Sequence, residues 1–165
     1  MATPKKIVKQ QSDLSLAALQ KFRVIVQHAQ AHSSLIKKKT GISGAQLWLV
    51  QEVSDVPGSR IGEIALRMSL KSVTVSNLLE PLLSSGLINR EQDAQDRRAF
   101  RLYISLKGKR LLAKAPKPTR GILPDTLMHL DSNSLASVDQ ALALLVEKLS
   151  SARARHALEP LPFTL

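Results

Sequence analysis

RIGEIALRMSLKSVTVSNLLEPLLSSGLINREQDAQDRRAFRLYISL, residues 60–106, is the stretch whose reading decides the fold. Ile61, Ile64, Ala65 and Met68 fall at i, i+3, i+4 and i+7, the spacing that lines one stripe of a short helix ending near Met68. After a corner at Ser69 and Leu70, a second helix is predicted over 72–85, with Val75, Leu78, Leu79 and Leu82 as its apolar stripe and Gly86 as its stop. Two helices joined by so short a turn cross steeply and share one small core. The segments 87–91 and 99–106 read as strands, and in the second Phe100, Leu102, Ile104 and Leu106 alternate with Arg101, Tyr103 and Ser105. Two helices followed by a hairpin make a winged helix-turn-helix.

The groups opposite the second helix's stripe bear on function. Val73, Ser76, Asn77 and Glu80 point outward there, flanked by Lys71, Ser72 and Thr74. Asn can form two bonds to adenine, Ser and Thr bond to either partner, and Val packs on a thymine methyl, so this face suits a major groove. It equally suits the polar side of a solvated helix. The segment between the strands ends in Asp96, Arg97 and Arg98, where an extended hairpin can set an arginine into a narrow minor groove while the carboxylate holds it by a charge-assisted bond. Arg97, Arg101 and Lys107 are placed to meet phosphate. The alternative is a charged, solvated turn.

Through RIGEIALRMSL, TVSNLLEPLLSSGLI and DRRAFRLYISL, the sequence resembles the MarR family of bacterial transcriptional regulators over about residues 12–149. The family's Asp-x-Arg wing signature falls on Asp96 and Arg98. The resemblance implies a symmetric dimer built by helices from both chain ends, a pseudo-palindromic double-stranded DNA operator, and repression relieved by a small aromatic or lipophilic effector or by thiol oxidation. It also implies a ligand cleft between the dimer helices and the winged region, for which Phe22, His32 and Trp48 are the candidates. Three departures stand out. Lys71 replaces the usual helix-capping side chain, an acceptor that contributes about 1 kcal/mol. Pro81 lies inside the reading helix, where a kink is expected. LKGKRLL follows the wing without the usual cap, so the next helix is expected to begin loosely.

The whole chain agrees with a mainly α protein carrying a small β-hairpin wing. It has 165 residues, 44% hydrophobic and only 3% aromatic, enough for one Leu/Val/Ile/Ala core. Its net charge of +11 attracts a polyanion, since each neutralised phosphate releases counterions. A membrane surface is the rival partner, but no basic amphipathic segment with aromatic anchors stands out, no run is long enough to span a bilayer and no leader is evident, which predicts a cytoplasmic protein. The absence of cysteine excludes disulfides, thiolate metal sites and thiol sensing.

The expected organisation is a mobile basic arm over 1–11, carrying Lys5, Lys6 and Lys9; dimerisation helices over 12–40 and 107–157; the winged region over 41–106; and an irregular tail over 158–165. Ser12 is the expected cap of a long first helix through Leu16, Leu19, Phe22, Val26 and Ala29. His28 and His32 stand at i, i+4, as two metal ligands would, but no third ligand is marked, and surface or interface histidines fit as well; His129 and His156 are isolated. A helix over 45–53 carries Trp48, either a pocket wall or plain core. Past the wing, 107–115 is helical, the prolines at 116, 118 and 124 break the chain, 126–130 recovers a turn or two, and Asp131, Ser132 or Ser134 caps a last helix. Its Leu135, Val138, Leu142, Leu145 and Leu149 form a seam for a second copy or for this chain. No paired carboxylates, phosphate loop, metal cluster or nucleophile elbow is present, which speaks against an enzyme or a cofactor. The competing class is a winged-helix module that binds protein or nucleic acid without operator specificity.

Overall fold

The computed structural model describes residues 4–96, 98–149, 159–161 and 164, with the side chains of 4–8 excepted. In chain order the elements are α1 (Pro4–Thr40), α2 (Gly44–Asp55), α3 (Ile61–Arg67), α4 (Ser72–Ser84), β1 (Ile88–Gln92), β2 (Phe100–Ile104), α5 (Leu106–Lys114), α6 (Ile122–Met128) and α7 (Ser132–Lys148). It is the mainly helical fold with a two-stranded antiparallel wing that the sequence predicts.

The core is assembled around α4. Its Val75, Leu78, Leu79 and Leu82 are all buried, packed in one cluster with Leu47, Val50 and Val53 of α2, Ile64 of α3, and Ile88 and Leu102 of the wing. Burying a side chain of that size stabilises by about 1.5–3 kcal/mol, so this one stripe fixes which side of α4 faces out. The helix continues past Pro81 for the last three residues to Ser84, so the proline does not break it. In the wing Ile88 pairs with Ile104 and Gln92 with Phe100, and the Gly58 N–H and Ser59 carbonyl bond to Leu102, adding a short third edge.

Both helix-turn-helix helices end in the same way. After α4, the Gly86 N–H donates to Leu83 and the Leu87 N–H to Leu82, with Gly86 at φ +67°. After α3, the Ser69 N–H donates to Leu66 and the Leu70 N–H to Ala65, with Ser69 at φ +52°. This paired-carbonyl closure needs a left-handed residue, which glycine adopts freely and serine does not.

Several boundaries differ from expectation. The first helix begins at Pro4, not Ser12, because proline presets the helical φ where no N–H acceptor is needed, and no breaker follows. The arm expected over 1–11 is therefore helical from Pro4 onward. The helix after the wing does not begin loosely: Ser105, expected in the strand, leaves it as an N-cap and accepts from the Gly108 N–H at 3.0 Å. Gly108 is itself required, since an added Cβ would strike the Leu87 carbonyl oxygen. Leu106 opens α5 and is exposed, so it is not part of the buried strand face, and neither is the exposed Phe100, whose ring lies 5.1 Å from the Arg90 guanidinium. Pro124 does not disrupt the region before the last helix. It lies in the first turn of α6, where its missing N–H costs nothing. The predicted helix over 45–53 is α2, and the cap that starts it is Ser43, in a reciprocal box with Gln46. The tail over 158–165 and the end of the helix segment over 107–157, including His156, fall largely outside the described residues.

Only the last third of α1 meets this core, through Ala29, His32, Ser33 and Ile36. Its upstream Leu14, Leu16, Leu19 and Val24 are exposed, as are Leu142, Leu144, Leu145 and Leu149 along and just past α7.

The shared closure gives a paired test. Gly86→Ala, with open space around the new methyl, should destabilise by about 1 kcal/mol through backbone strain alone. Ser69→Gly should leave stability unchanged or raise it by up to about 1 kcal/mol. Urea midpoints at matched protein concentration report both; a loss in Ser69→Gly as large as that in Gly86→Ala would contradict the strain argument.

Candidate nucleic-acid interface and cleft

The outward face of α4 carries the residues expected there. Ser72, Val73 and Asn77 are exposed, with Val73 at 63% of its full accessibility, and Lys71, Thr74 and Ser76 are half-buried at the flank. Ser76 donates to the Ser72 carbonyl at 3.0 Å, which turns its hydroxyl partly back on the helix. Lys71 holds the cap position, extended at φ −73° and ψ 145°, without a side-chain acceptor, as its residue type requires. Its ammonium lies 3.5 Å from Glu159 of the tail.

The wing is organised by a different aspartate from the one expected. Asp96 accepts from the Arg98 backbone N–H at 3.0 Å, a local turn closure of the kind aspartate favours, and no ion pair with the Arg98 guanidinium is present among the described residues. Arg97 lies outside the described residues. The carboxylate that gathers arginines is Asp93, almost fully buried at the root of the hairpin. Its Oδ2 accepts from Arg60 at 2.7 and 3.1 Å and from Arg101 at 2.8 Å, and its Oδ1 from the Gln95 N–H at 2.9 Å. The Gln95 N–H and the Arg60 guanidinium, helped by the Arg101 charge, outweigh desolvation and hold the Asp93 carboxyl down at about 2. Arg101 also donates to the Gly58 carbonyl at 3.1 Å. Arg101, expected on phosphate, is part-exposed and bolts the wing to the loop before α3. Lys107, expected likewise, donates to the Ser85 carbonyl at 2.8 Å and closes the end of α4, where a cation suits the helix dipole.

A second buried carboxylate, Glu52 of α2, holds three elements together. It accepts from Trp48 Nε1 at 2.9 Å, from Arg67 of α3 at 3.1 Å and from Arg120, in the loop before α6, at 2.8 Å; Arg120 also reaches Asp55 at 2.7 Å. Burial pushes the Glu52 carboxyl up, but bonds from Arg120 and Trp48 and the Arg120 charge more than compensate, leaving it below the usual carboxylate range. Beside this cluster lies a cleft of about 400 Å³ between α1, α2, the α3–α4 turn and α6. His32 and Trp48, two of the three expected cleft residues, line it. Phe22 does not: it lies further up α1 and lines a separate groove with Leu142, Leu145 and Leu149. His32 is fixed by its Nε2, which donates to the Pro118 carbonyl at 3.0 Å, while His28 is exposed, and no group of three metal-ligating side chains occurs among the described residues. The tail expected to lose regular structure contributes Glu159, Pro160, Leu161 and Thr164 to the cleft wall.

Sequence reasoning missed Asp93, Arg60, Glu52, Arg67 and Arg120. The one local signal was aspartate two residues ahead of Gln95, the spacing at which its carboxylate can bond the Gln95 N–H.

A short third edge, two crossed helices and a hairpin define the class: a winged helix-turn-helix protein. Residues 42–100 match the model of the MarR family. No curated protein matches the chain in sequence. The fold is shared with MepR of S. aureus, solved in complex with DNA, at 22% identity and TM-score 0.57, covering 79% of this chain and 96% of MepR. It is shared with PcaV of Streptomyces coelicolor, solved with its natural ligand, at 16% identity and TM-score 0.55, covering 79% and 92%. The transcriptional regulator SlyA matches at 18% identity and TM-score 0.54, covering 80% and 93%.

Because the folded Asp93 lies below the ordinary 3.8, the stability it lends is present above that pH and is lost as pH falls from 3.8 through about 2. Asp93→Asn should therefore lower the urea midpoint at pH 7 and flatten the acid limb between those values. An Asp93→Asn limb that still falls as steeply as the parent's would assign acid lability to other groups.

Proposed function

We propose that this protein is a sequence-specific double-stranded DNA-binding transcriptional regulator that acts in the cytoplasm as a homodimeric repressor, released when a small molecule enters the cleft. The observation that carries the reading is the outward face of α4, where Ser72, Val73 and Asn77 stand exposed on a helix whose opposite stripe is locked in the core. Short side chains at the start of a protruding helix let its backbone approach base edges. In this reading Lys71, Ser72, Val73, Thr74, Ser76 and Asn77 enter the major groove. Arg98, exposed at the wing tip beside Asp96, enters the flanking minor groove. Arg97, Arg101 and Lys107 meet phosphate, and Arg101 and Lys107 also hold the wing and the end of α4 in place.

The exposed leucines of α1 and of the α7 region support the homodimer, since an apolar seam that long is stable in water only when a second copy covers it. A two-fold dimer then presents two α4 helices about one DNA turn apart, which calls for a pseudo-palindromic site. The net charge of +11 supplies affinity for any duplex but no choice between sequences. Among the described residues no helix is long and apolar enough to cross a membrane.

Selection of bound duplexes from a random pool at two salt concentrations tests the reading. An inverted repeat with half-sites about one helical turn apart is expected at both; enrichment that vanishes at the higher salt would reduce the protein to a polycation. On the selected site Asn77→Ala should relax preference at one base pair, worth about 1–3 kcal/mol, while Arg98→Ala should weaken binding about tenfold or more with the fold intact. Glu159→Gln should raise affinity by about two- to fivefold at low salt, because an exposed pair worth at most about 1 kcal/mol no longer competes for Lys71. An affinity that falls instead would mean that Glu159 positions Lys71 for DNA.

A further inference from the structure

We infer that the cleft takes a neutral, largely apolar molecule carrying at most a hydroxyl or carbonyl, and discriminates against carboxylates and other anions. The inference deepens the ligand-released reading above and rests on it. Most of the lining is hydrocarbon: Ala29, Ile36, Met68, Leu70, Ile122 and Leu123. Among the described residues Arg120 is the one arginine or lysine of that lining, and its guanidinium is held at Nε by Glu52 and at Nη2 by Asp55. The whole cluster behind it sets two carboxylates, Glu52 and Asp55, against two guanidiniums, Arg67 and Arg120, so it offers an entering anion no net positive charge.

The other polar groups point the same way. Trp48 Nε1 donates to Glu52, and His32 Nε2 to the Pro118 carbonyl. Ser33 and Ser69 bring neutral hydroxyls to the lining. The tail adds Glu159, whose carboxylate is paired with the Lys71 ammonium at 3.5 Å, and the Thr164 hydroxyl, which donates to the Leu161 carbonyl. An ionised ligand would leave its water shell without an opposite charge to meet it, whereas an apolar one gains from burial against these side chains. An arginine already engaged by two acids is a wall, not a counter-ion.

The test uses a matched pair, naphthalene-2-methanol and 2-naphthoate, titrated at pH 7 into the full-length protein by isothermal calorimetry. The expected result is that the alcohol binds at least tenfold more tightly than the carboxylate and that Arg120→Gln does not weaken the alcohol. Ala29→Phe, which fills the cleft from α1, should abolish the alcohol's heat; Ile122→Trp does so from the more exposed α6 rim if the first variant fails to fold by circular dichroism. Equal or tighter binding of the carboxylate overturns the inference, as does the absence of binding by either probe, or heat that survives in a folded cleft-filled variant. Duplex binding is measured on the same preparation without probe: its loss would strike the regulator reading, whereas probe results leave that measurement untouched.

Discussion

Burial of one stripe on α4 is the constraint from which the remaining arrangement follows. Val75, Leu78, Leu79 and Leu82 lie at helical spacing, and α2, α3 and β1 all pack on that helix. Because the stripe has a single apolar side, satisfying it leaves Ser72, Val73 and Asn77 outside. The reading face is thus the remainder of a packing problem. No separate interaction has to hold it out, and its side chains are free to vary in chemistry while the helix stays in place.

Beyond Ile88 and Leu102 at its root, the wing has no comparable apolar anchor. A two-stranded hairpin is marginal alone in water, and Phe100 at its far end is exposed. Polar contacts take over where hydrophobic ones run out: Leu102 is buried and bonded to Gly58 and Ser59, and Asp93 draws Arg60 and Arg101 onto one carboxylate oxygen. A buried charge is tolerable only when paired and hydrogen-bonded, and Asp93 has both. Such a group adds geometric definition more than stability, because its partners must lie at one distance and angle. The wing tip can therefore project into solvent while its root is fixed relative to α3.

Much of this was legible in the sequence, and what was not has a common cause. Periodicity gave α3, α4 and the hairpin to within a residue or two, since each buries one face in a regular alternation. Asp93 and Asp96 could not be told apart, because both sit in one polar segment and only tertiary placement buries the first. The carbonyl contacts of Arg101 and Lys107 were hidden for the same reason: a cation that caps a carbonyl across a turn is indistinguishable in sequence from one facing solvent. Ser105 continues the alternation of the strand, although serine followed three residues later by a glycine that packs on Leu87 fits a cap equally well. Phe22 joins Trp48 and His32 only as a candidate for the cleft that the family resemblance implies. In a helix of 37 residues, ten positions separate Phe22 from His32 by about 15 Å, too far to share one cleft.

The same geometry bears on how a cleft could govern DNA binding. A ligand shifts an equilibrium only by its differential affinity for two arrangements, so it has to touch something that differs between them. Here the cleft wall includes Met68, Ser69 and Leu70, the turn that sets the crossing of α3 and α4. Ser69 holds a left-handed conformation unfavourable for a residue with a Cβ, and it is retained by two backbone bonds to α3. Behind it, Glu52 joins Trp48 of the cleft to Arg67 in the last turn of α3. A molecule filling the cleft thus presses on the turn directly and on α3 through one charged link, with no long relay required. The following residue, Lys71, begins α4 and is tied to Glu159 of the same cleft wall, so the element proposed to read DNA and the wall proposed to receive a ligand meet at a single residue.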